Sequence, residues 1–197
     1  MKIIGINSVD DVKIFTLYRK LGSLCDFLRK EKKAIDGKTL VLYALQISQA
    51  MEYLTDRKIT HGDLATRNVL LKRKDHVEVA DFGLAVYKNE DKDGSKDLKT
   101  KKKHINFASK WAAIELLEKR SGFNEETDVW AFGVTCWEIF NFGAEPYDEI
   151  KYNEETIRRL LARLKIGAFL RQPTNVHISV YNTMFRCKKL YTFHLEN

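Results

Sequence analysis

Apolar residues recur along the chain with steps that change from segment to segment. Residues 2–6 and 12–17 are β-branched runs separated by a polar stretch, a pattern that predicts a hairpin at the start. From Leu40, apolar positions recur at Ala44, Ile47, Met51 and Leu54 in steps of three and four. Only a helix gathers such positions on one face, so the spacing predicts about four turns with that face buried. Residues 69–71 and 77–80 flank the polar residues 72–75 and predict a second hairpin. Residues 129–140 are apolar almost all round, with Trp130, Phe132, Val134, Trp137 and Ile139 pointing in every direction. Such a helix belongs in the interior, and Asp128 is expected to cap its amino end. Beyond Pro146, Asn153 is expected to cap an amphipathic helix. Glu154 and Glu155 would form its first turn, with Ile157, Leu160, Leu161 and Leu164 on the buried face and Gly167 at the stop. The fold class expected from this pattern is mainly α with short β-hairpins.

Composition narrows the class without naming a chemistry. At 197 residues, 44% hydrophobic and 31% charged, the chain is expected to form one domain with a sizeable core. The longest apolar run, residues 129–137, is closed by Asp128 and Glu138, well short of the ~20 residues of a membrane span. With no signal-peptide pattern at the amino end, the expected compartment is the cytoplasm. Cys25, Cys136 and Cys187 lie far apart and form no CxxC pair, so neither a disulfide framework nor a zinc site is expected. Net charge is +7, and residues 88–103 carry seven lysines against four acids. No aromatic residue interleaves with those lysines, so the stretch reads as a solvated basic loop and no nucleic-acid partner is expected.

The chemistry is concentrated in His61-Gly62-Asp63-Leu64-Ala65-Thr66-Arg67-Asn68-Val69-Leu70 and in Ala80-Asp81-Phe82-Gly83-Leu84-Ala85. These segments supply a carboxylate at Asp63, a neutral oxygen ligand at Asn68 and a second carboxylate at Asp81 beyond a tight hairpin. Carboxylate and amide oxygens suit Mg²⁺, which keeps waters and bridges phosphates, while a further carboxylate can orient a hydroxyl nucleophile. Taken singly, each residue is explained as well by a capped turn; the constellation favours the chemistry.

In these residues the sequence resembles the catalytic lobe of the protein kinases, whose HRDLxxxN and DFG motifs they match in spacing. Residues 110–115 look like the segment ending in APE, residues 127–134 like the buried helix after it, and residues 143–147 like the following turn. Ala65 and Arg67, Lys110-Trp111, and residues 22–28 and 142–147 are similar to the tyrosine kinases in particular. The resemblance implies a protein-kinase-like C-terminal lobe with the small lobe mostly missing. The chain 1–197 would be a single partial kinase domain, with residues 1–18 as remnant strands and hinge and residues 19–197 as the helical large lobe. It implies ATP and Mg²⁺ as cofactors and tyrosine-bearing proteins, including acidic peptides, as partners. Asp63 would accept the substrate hydroxyl proton, Arg67 would help place that hydroxyl, and Asn68 and Asp81 would hold the metal on the phosphates. Thr16, Leu17, Tyr18, Arg19 and Leu70 would surround the nucleotide base. Phe82 and His61 would pack together, and Asp128 would bond the backbone around His61. If the parent is a receptor, the location would be the cytoplasmic face of the plasma membrane.

The sequence departs from the pattern at several places. None of its ten glycines forms GxG, no VAIK-like lysine precedes the hinge, and Lys13 is expected to face solvent. Gly62 replaces the arginine of HRD, Ile114 replaces the proline of APE, and the arginine that would pair with Glu115 is absent, which would leave that carboxylate buried and unpaired. Tyr87 is the only tyrosine between Asp81 and Glu115. These departures carry the alternative, a catalytically inactive pseudokinase or lobe fragment acting as a protein-interaction scaffold.

Overall fold

The computed structural model describes residues 3–7, 13–88, 108–153, 155–174 and 176–189, so most of the lysine-rich stretch and the turn of the first hairpin lie outside the described residues. The described residues are mostly helical, with three separate two-stranded antiparallel sheets. The first pairs β1 (Ile3–Asn7) with β2 (Lys13–Thr16), as the alternating runs predict, with a register shift between Ile3 and Gly5. Its apolar side chains are uncovered: Ile4, Ile6, Ile14 and Phe15 are all exposed, and so is Lys13.

Helix α1 (Leu24–Glu31) starts where the Ser23 Oγ accepts the Asp26 amide, and it buries Leu24, Cys25, Phe27 and Leu28. Helix α2 (Gly37–Asp56) begins earlier than the apolar pattern, because the Asp36 side chain caps it by accepting the Thr39 amide. Its buried face holds Leu40, Ile47 and Leu54 as expected, and also Tyr43. After the short strand β3 (Ile59–Thr60), the hairpin of β4 (Val69–Arg73) and β5 (His76–Val79) is clamped onto α2 by its turn. The Tyr43 hydroxyl donates to the Lys74 carbonyl, Gln46 Nε2 donates to the Asp75 carbonyl at 2.9 Å, and Gln46 Oε1 accepts the Val77 amide at 2.8 Å. Strand β6 (Val86–Tyr87) returns to pair with β3.

The apolar helix is α4 (Glu125–Phe140), preceded by the single turn α3 (Ile114–Leu117). Asp128 does not cap it. Asn124 does, in a reciprocal arrangement in which the Asn124 side chain accepts the Thr127 amide and Thr127 Oγ1 accepts the Asn124 amide. The helix starts a full turn before the apolar pattern because acids at its positive end are favourable even where nothing apolar is buried. Helix α4 is buried on opposite sides because two cores flank it. One is shared with α1, α2, the β4–β5 hairpin and α6 (Ile178–Lys189). The other is shared with α3, Tyr147, Ile150 and α5 (Thr156–Lys165), and Trp137 packs against both. Helix α5 begins later than expected. Asn153 caps a preceding turn instead, its carbonyl accepting the Thr156 amide and its side chain the Glu155 amide. Gly167 follows it with φ +73°. Glu115 is only partly buried, so the expected cost of a buried unpaired carboxylate does not arise there.

Replacing Asn124 by Ala removes the side-chain half of the cap and is expected to cost about 1 kcal/mol. Urea denaturation should show a lower midpoint with an unchanged slope.

Candidate active site

The β4–β5 hairpin brings two distant segments to one mouth. Val69 faces Val79 in the register, and the Ala80 amide donates to the Asn68 carbonyl at 2.8 Å. His61, fully buried just after β3, spans this mouth from below. Its Nε2 donates to the Ala80 carbonyl at 3.0 Å, while Nδ1 accepts the Asp63 amide at 3.2 Å. A carbonyl can only accept and an amide N–H can only donate, so the network assigns the proton to Nε2. Phe82 packs on the imidazole with ring centroids 5.0 Å apart.

The loop from 61 to 66 is suspended from one face of α4. Asp128 Oδ2 accepts the His61 amide at 2.6 Å and Oδ1 accepts the Gly62 amide at 3.0 Å. Two turns further along, the Thr135 hydroxyl, whose shorter bond is to the Ala131 carbonyl at 2.8 Å, also reaches the Leu64 carbonyl at 3.3 Å. Next, Glu138 Oε1 accepts the Thr66 hydroxyl at 2.7 Å and Oε2 accepts the Thr66 amide at 3.1 Å. Steps of seven and three residues keep these three side chains together on the helix surface. Burial pushes the Asp128 carboxyl above its usual range, and the two backbone donors pull the other way. The same desolvation raises Glu138, opposed by Trp111 and Thr66.

Gly62 adopts φ +78°, and a Cβ there would lie 2.8 Å from the Leu84 carbonyl oxygen and 3.3 Å from the Phe123 ring. The position is therefore shaped for glycine. An arginine, as in the resembled motif, would require the segment after Phe82 to move away.

Asp63, Arg67 and Asn68 are brought together directly. The single 3₁₀ turn Thr66–Asn68 folds back so that Arg67 Nη2 donates to Asp63 Oδ1 at 2.5 Å. Asn68 Nδ2 donates to the Asp63 carbonyl and to Oδ2, both at 2.7 Å. The Arg67 guanidinium also lies over the Trp111 ring, 4.7 Å from its centroid. Asp81 follows the residue that closes the hairpin mouth; it has φ +62° and accepts the Gly83 amide at 3.3 Å. The structure joins it to Asn68 through the backbone of that mouth and records no direct bond between Asp81 and Asp63 or Asn68.

Among the described residues no cluster of three or more His, Cys, Asp or Glu side chains stands ready for a metal. The donor set at the mouth is instead the Asn68 Oδ1, left over because both Nδ2 hydrogens are used, and the Asp81 carboxylate. Amide and carboxylate oxygens are hard donors of the kind that suits Mg²⁺ and not a softer metal.

The expected base-binding residues are arranged unevenly. Thr16 ends β2 half-buried, Leu17 is exposed, Tyr18 is 86% exposed, and Leu70 is half-buried opposite Glu78 in the hairpin register. Arg19 does not turn its side chain toward a ligand: Nε and Nη2 both donate to Glu78 Oε2, at 2.8 and 2.5 Å. Only its backbone remains for a hinge role.

Beside Asp63 opens a cleft of about 780 Å³ whose walls include Arg67, Trp111, Glu138, Glu145 and Tyr152. Next to two of those wall residues, the buried Lys110 Nζ meets Glu145 at 2.7 Å and lies over the Tyr152 ring. Sequence reasoning missed Glu138 and Tyr152 as site residues. A lone acid in an otherwise apolar run was the available signal for Glu138.

Replacing Gly62 by Ala is expected to cost about 1–2 kcal/mol for the left-handed backbone alone, plus the shift of Leu84. Denaturation of the variant should show that loss, and an unchanged midpoint would contradict the close approach.

Comparison with known proteins agrees with this geometry. Residues 1–192 match the family described as protein tyrosine and serine/threonine kinase. The chain is 34% identical over 191 residues to the melanoma receptor tyrosine-protein kinase of Xiphophorus maculatus, covering 94% of this chain and 15% of that protein. It is 36% identical over 188 residues to the receptor tyrosine-protein kinase erbB-4 of Mus musculus, covering 95% and 14%. With the receptor tyrosine-protein kinase erbB-2 of Mesocricetus auratus it shares 36% identity over 191 residues, covering 94% and 14%. The chain thus spans about one-seventh of the length of the curated relatives it matches, and no described helix is long and apolar enough to cross a membrane. On its family match and on these relatives, the chain belongs to the protein kinases, in the tyrosine and serine/threonine kinase family.

Proposed function

We propose that this chain is the catalytic large lobe of a protein-tyrosine kinase, transferring the γ-phosphoryl group of ATP to a tyrosine hydroxyl when the complete protein is assembled. The observation that carries the reading is the Asp63 carboxylate, gripped by Arg67 at 2.5 Å and Asn68 at 2.7 Å at the edge of a cleft of about 780 Å³. Asp63 accepts the phenolic proton as the phenol oxygen bonds to the γ-phosphorus and the bond to the ADP oxygen breaks. Arg67, stacked on Trp111, fixes the carboxylate and the incoming hydroxyl relative to each other. Asn68 Oδ1 and Asp81 would hold Mg²⁺, which when bound neutralises charge on the phosphates. Thr16, Leu17, Tyr18, the Arg19 backbone and Leu70 flank the base. Tyrosine-bearing proteins, acidic peptides among them, are the substrates, and the setting is cytoplasmic or the inner face of the plasma membrane.

Phosphoryl transfer depends on positioning and charge stabilisation. This polypeptide has no GxG phosphate cover and no VAIK-like lysine. Purified residues 1–197, given labelled ATP, Mg²⁺ and poly(Glu, Tyr), are therefore expected to incorporate no more label than an Asp63→Asn control. In the longer protein that carries this lobe, Asp63→Asn should abolish tyrosine transfer. Transfer that survives Asp63→Asn there would remove the kinase assignment and leave the scaffold reading.

Tyr87 is exposed on β6, and Gly62 offers no cation to receive a phosphate on it. Phosphorylating Tyr87 should leave the activity of the longer protein unchanged. A rise that disappears in Tyr87→Phe would contradict this.

A further inference from the structure

Glu138 is the only acid in the last three turns of α4, is 3% exposed, and sits near the helix end where the dipole disfavours negative charge. Burial raises its ionisation cost further. Its partners are hydrogen-bond donors from two separate segments. Thr66 supplies its amide and hydroxyl from the catalytic loop, and the Trp111 indole Nε1 donates to Oε2 at 2.7 Å from the wall of the cleft. Those segments are 45 positions apart by number, Thr66 and Trp111, and Glu138 is the side chain that bonds both.

The Trp111 ring is also the surface on which the Arg67 guanidinium rests, and Arg67 holds Asp63. We propose that Glu138 is a positioning residue for the transfer: it locks Trp111 to the catalytic loop, and Trp111 in turn holds Arg67 against Asp63. The proposal rests on the kinase reading for its catalytic consequence, but the coupling from Glu138 to Arg67 belongs to the structure of this chain alone. Arg67 makes no hydrogen bond to Glu138; the direct influence between them is charge attraction, which Glu138→Gln removes while leaving the hydrogen-bonded link through the indole in place.

The chemistry of the three donors separates two substitutions. In Glu138→Gln the amide oxygen can take both N–H donors while the Thr66 hydroxyl reverses and accepts from the amide nitrogen, so the link survives without the charge. Glu138→Met fills a similar volume but accepts nothing. Hydrogen exchange of the Trp111 indole N–H and of the Arg67 Nη2–H that donates to Asp63, followed by NMR in the 197-residue chain, reads the link directly. Both protons are expected to exchange about tenfold faster in Glu138→Met and to stay close to wild type in Glu138→Gln. Loss of Trp111 protection with Arg67 unchanged would overturn the proposal, because Glu138 would then be local packing only. So would loss of both in Glu138→Gln in a folded protein. If Glu138→Met does not fold, Trp111→Phe decides, since it keeps an aromatic face and deletes the indole donor: faster Arg67 exchange supports the coupling, and unchanged exchange overturns it. In the longer protein, Glu138→Met should lower kcat about 100-fold, the scale of a displaced catalytic group. Should Asp63→Asn prove silent there, the kinase reading fails by itself, and the exchange result still decides whether Glu138 holds Arg67.

Discussion

The two hydrogen bonds that Asp128 accepts from the His61 and Gly62 amides are the interaction on which the site depends. A carboxylate 6% exposed is stable only when its oxygens are occupied. Here the donors are backbone groups of the loop that also carries Asp63. Its place in the first turns of α4 helps, because the positive end of the helix dipole favours an anion. Helix α4 is itself wedged between two cores, so it acts as a fixed rail. Asp128, Thr135 and Glu138 then hold the loop at three points along that rail, and the spacing of the loop's functional groups follows the rise of a helix and not the flexibility of a coil.

Gly62 belongs to the same constraint. Drawing two consecutive amides onto one carboxylate forces a turn, and at Gly62 that turn falls in the left-handed region. Glycine meets this demand without steric cost and lets the Leu84 carbonyl approach closely. The absence of an arginine here is therefore a change in packing as well as in charge. The segment after Phe82 presses on the loop where a side chain would otherwise stand.

How much of this was legible in the sequence depended on whether the partners were near in the chain. The hairpins, the buried face of α2 and the all-round apolar α4 follow from periodicity, since neighbouring turns decide them. The grouping of Asp63, Arg67 and Asn68 was legible for the same reason: one short turn brings all three together. Asp128 was misread as a cap because the apolar pattern begins after it, whereas a polar first turn capped by Asn124 extends the helix upstream. Helix α1 carried a readable start in Ser23 and Asp26 that the pattern of apolar residues did not bring out. Tyr43 and Gln46 gave no local sign of their roles, and the lone acid at Glu138 marked a buried acceptor without naming its donors. Their partners lie 27 or more positions away, and nothing in a one-dimensional pattern specifies which distant amide a buried acceptor will meet.

The two hairpins set different precision on the two halves of the site. The β4–β5 hairpin, which carries Asn68 and leads into Asp81, is bonded at its turn to Tyr43 and Gln46 and covered on one face by α2. The β1–β2 ribbon, which leads into Thr16 to Arg19, keeps its apolar side chains uncovered among the described residues, and a two-stranded ribbon of that kind is marginal in water. Residues 16–19 are tied to the clamped hairpin by the ion pair of Arg19 with Glu78, whose side chains are only 10% and 17% exposed, and by the backbone, where the Gly22 amide donates to the Arg19 carbonyl at 3.0 Å and the Gly22 carbonyl accepts the Leu71 amide at 3.1 Å. A pair so shielded, with both donors on one carboxylate oxygen, is held more firmly than a surface pair. The carboxylate half of the candidate site is thus set by packing, and residues 16–19 take their position from one shielded ion pair and the backbone bonds of the turn that follows them.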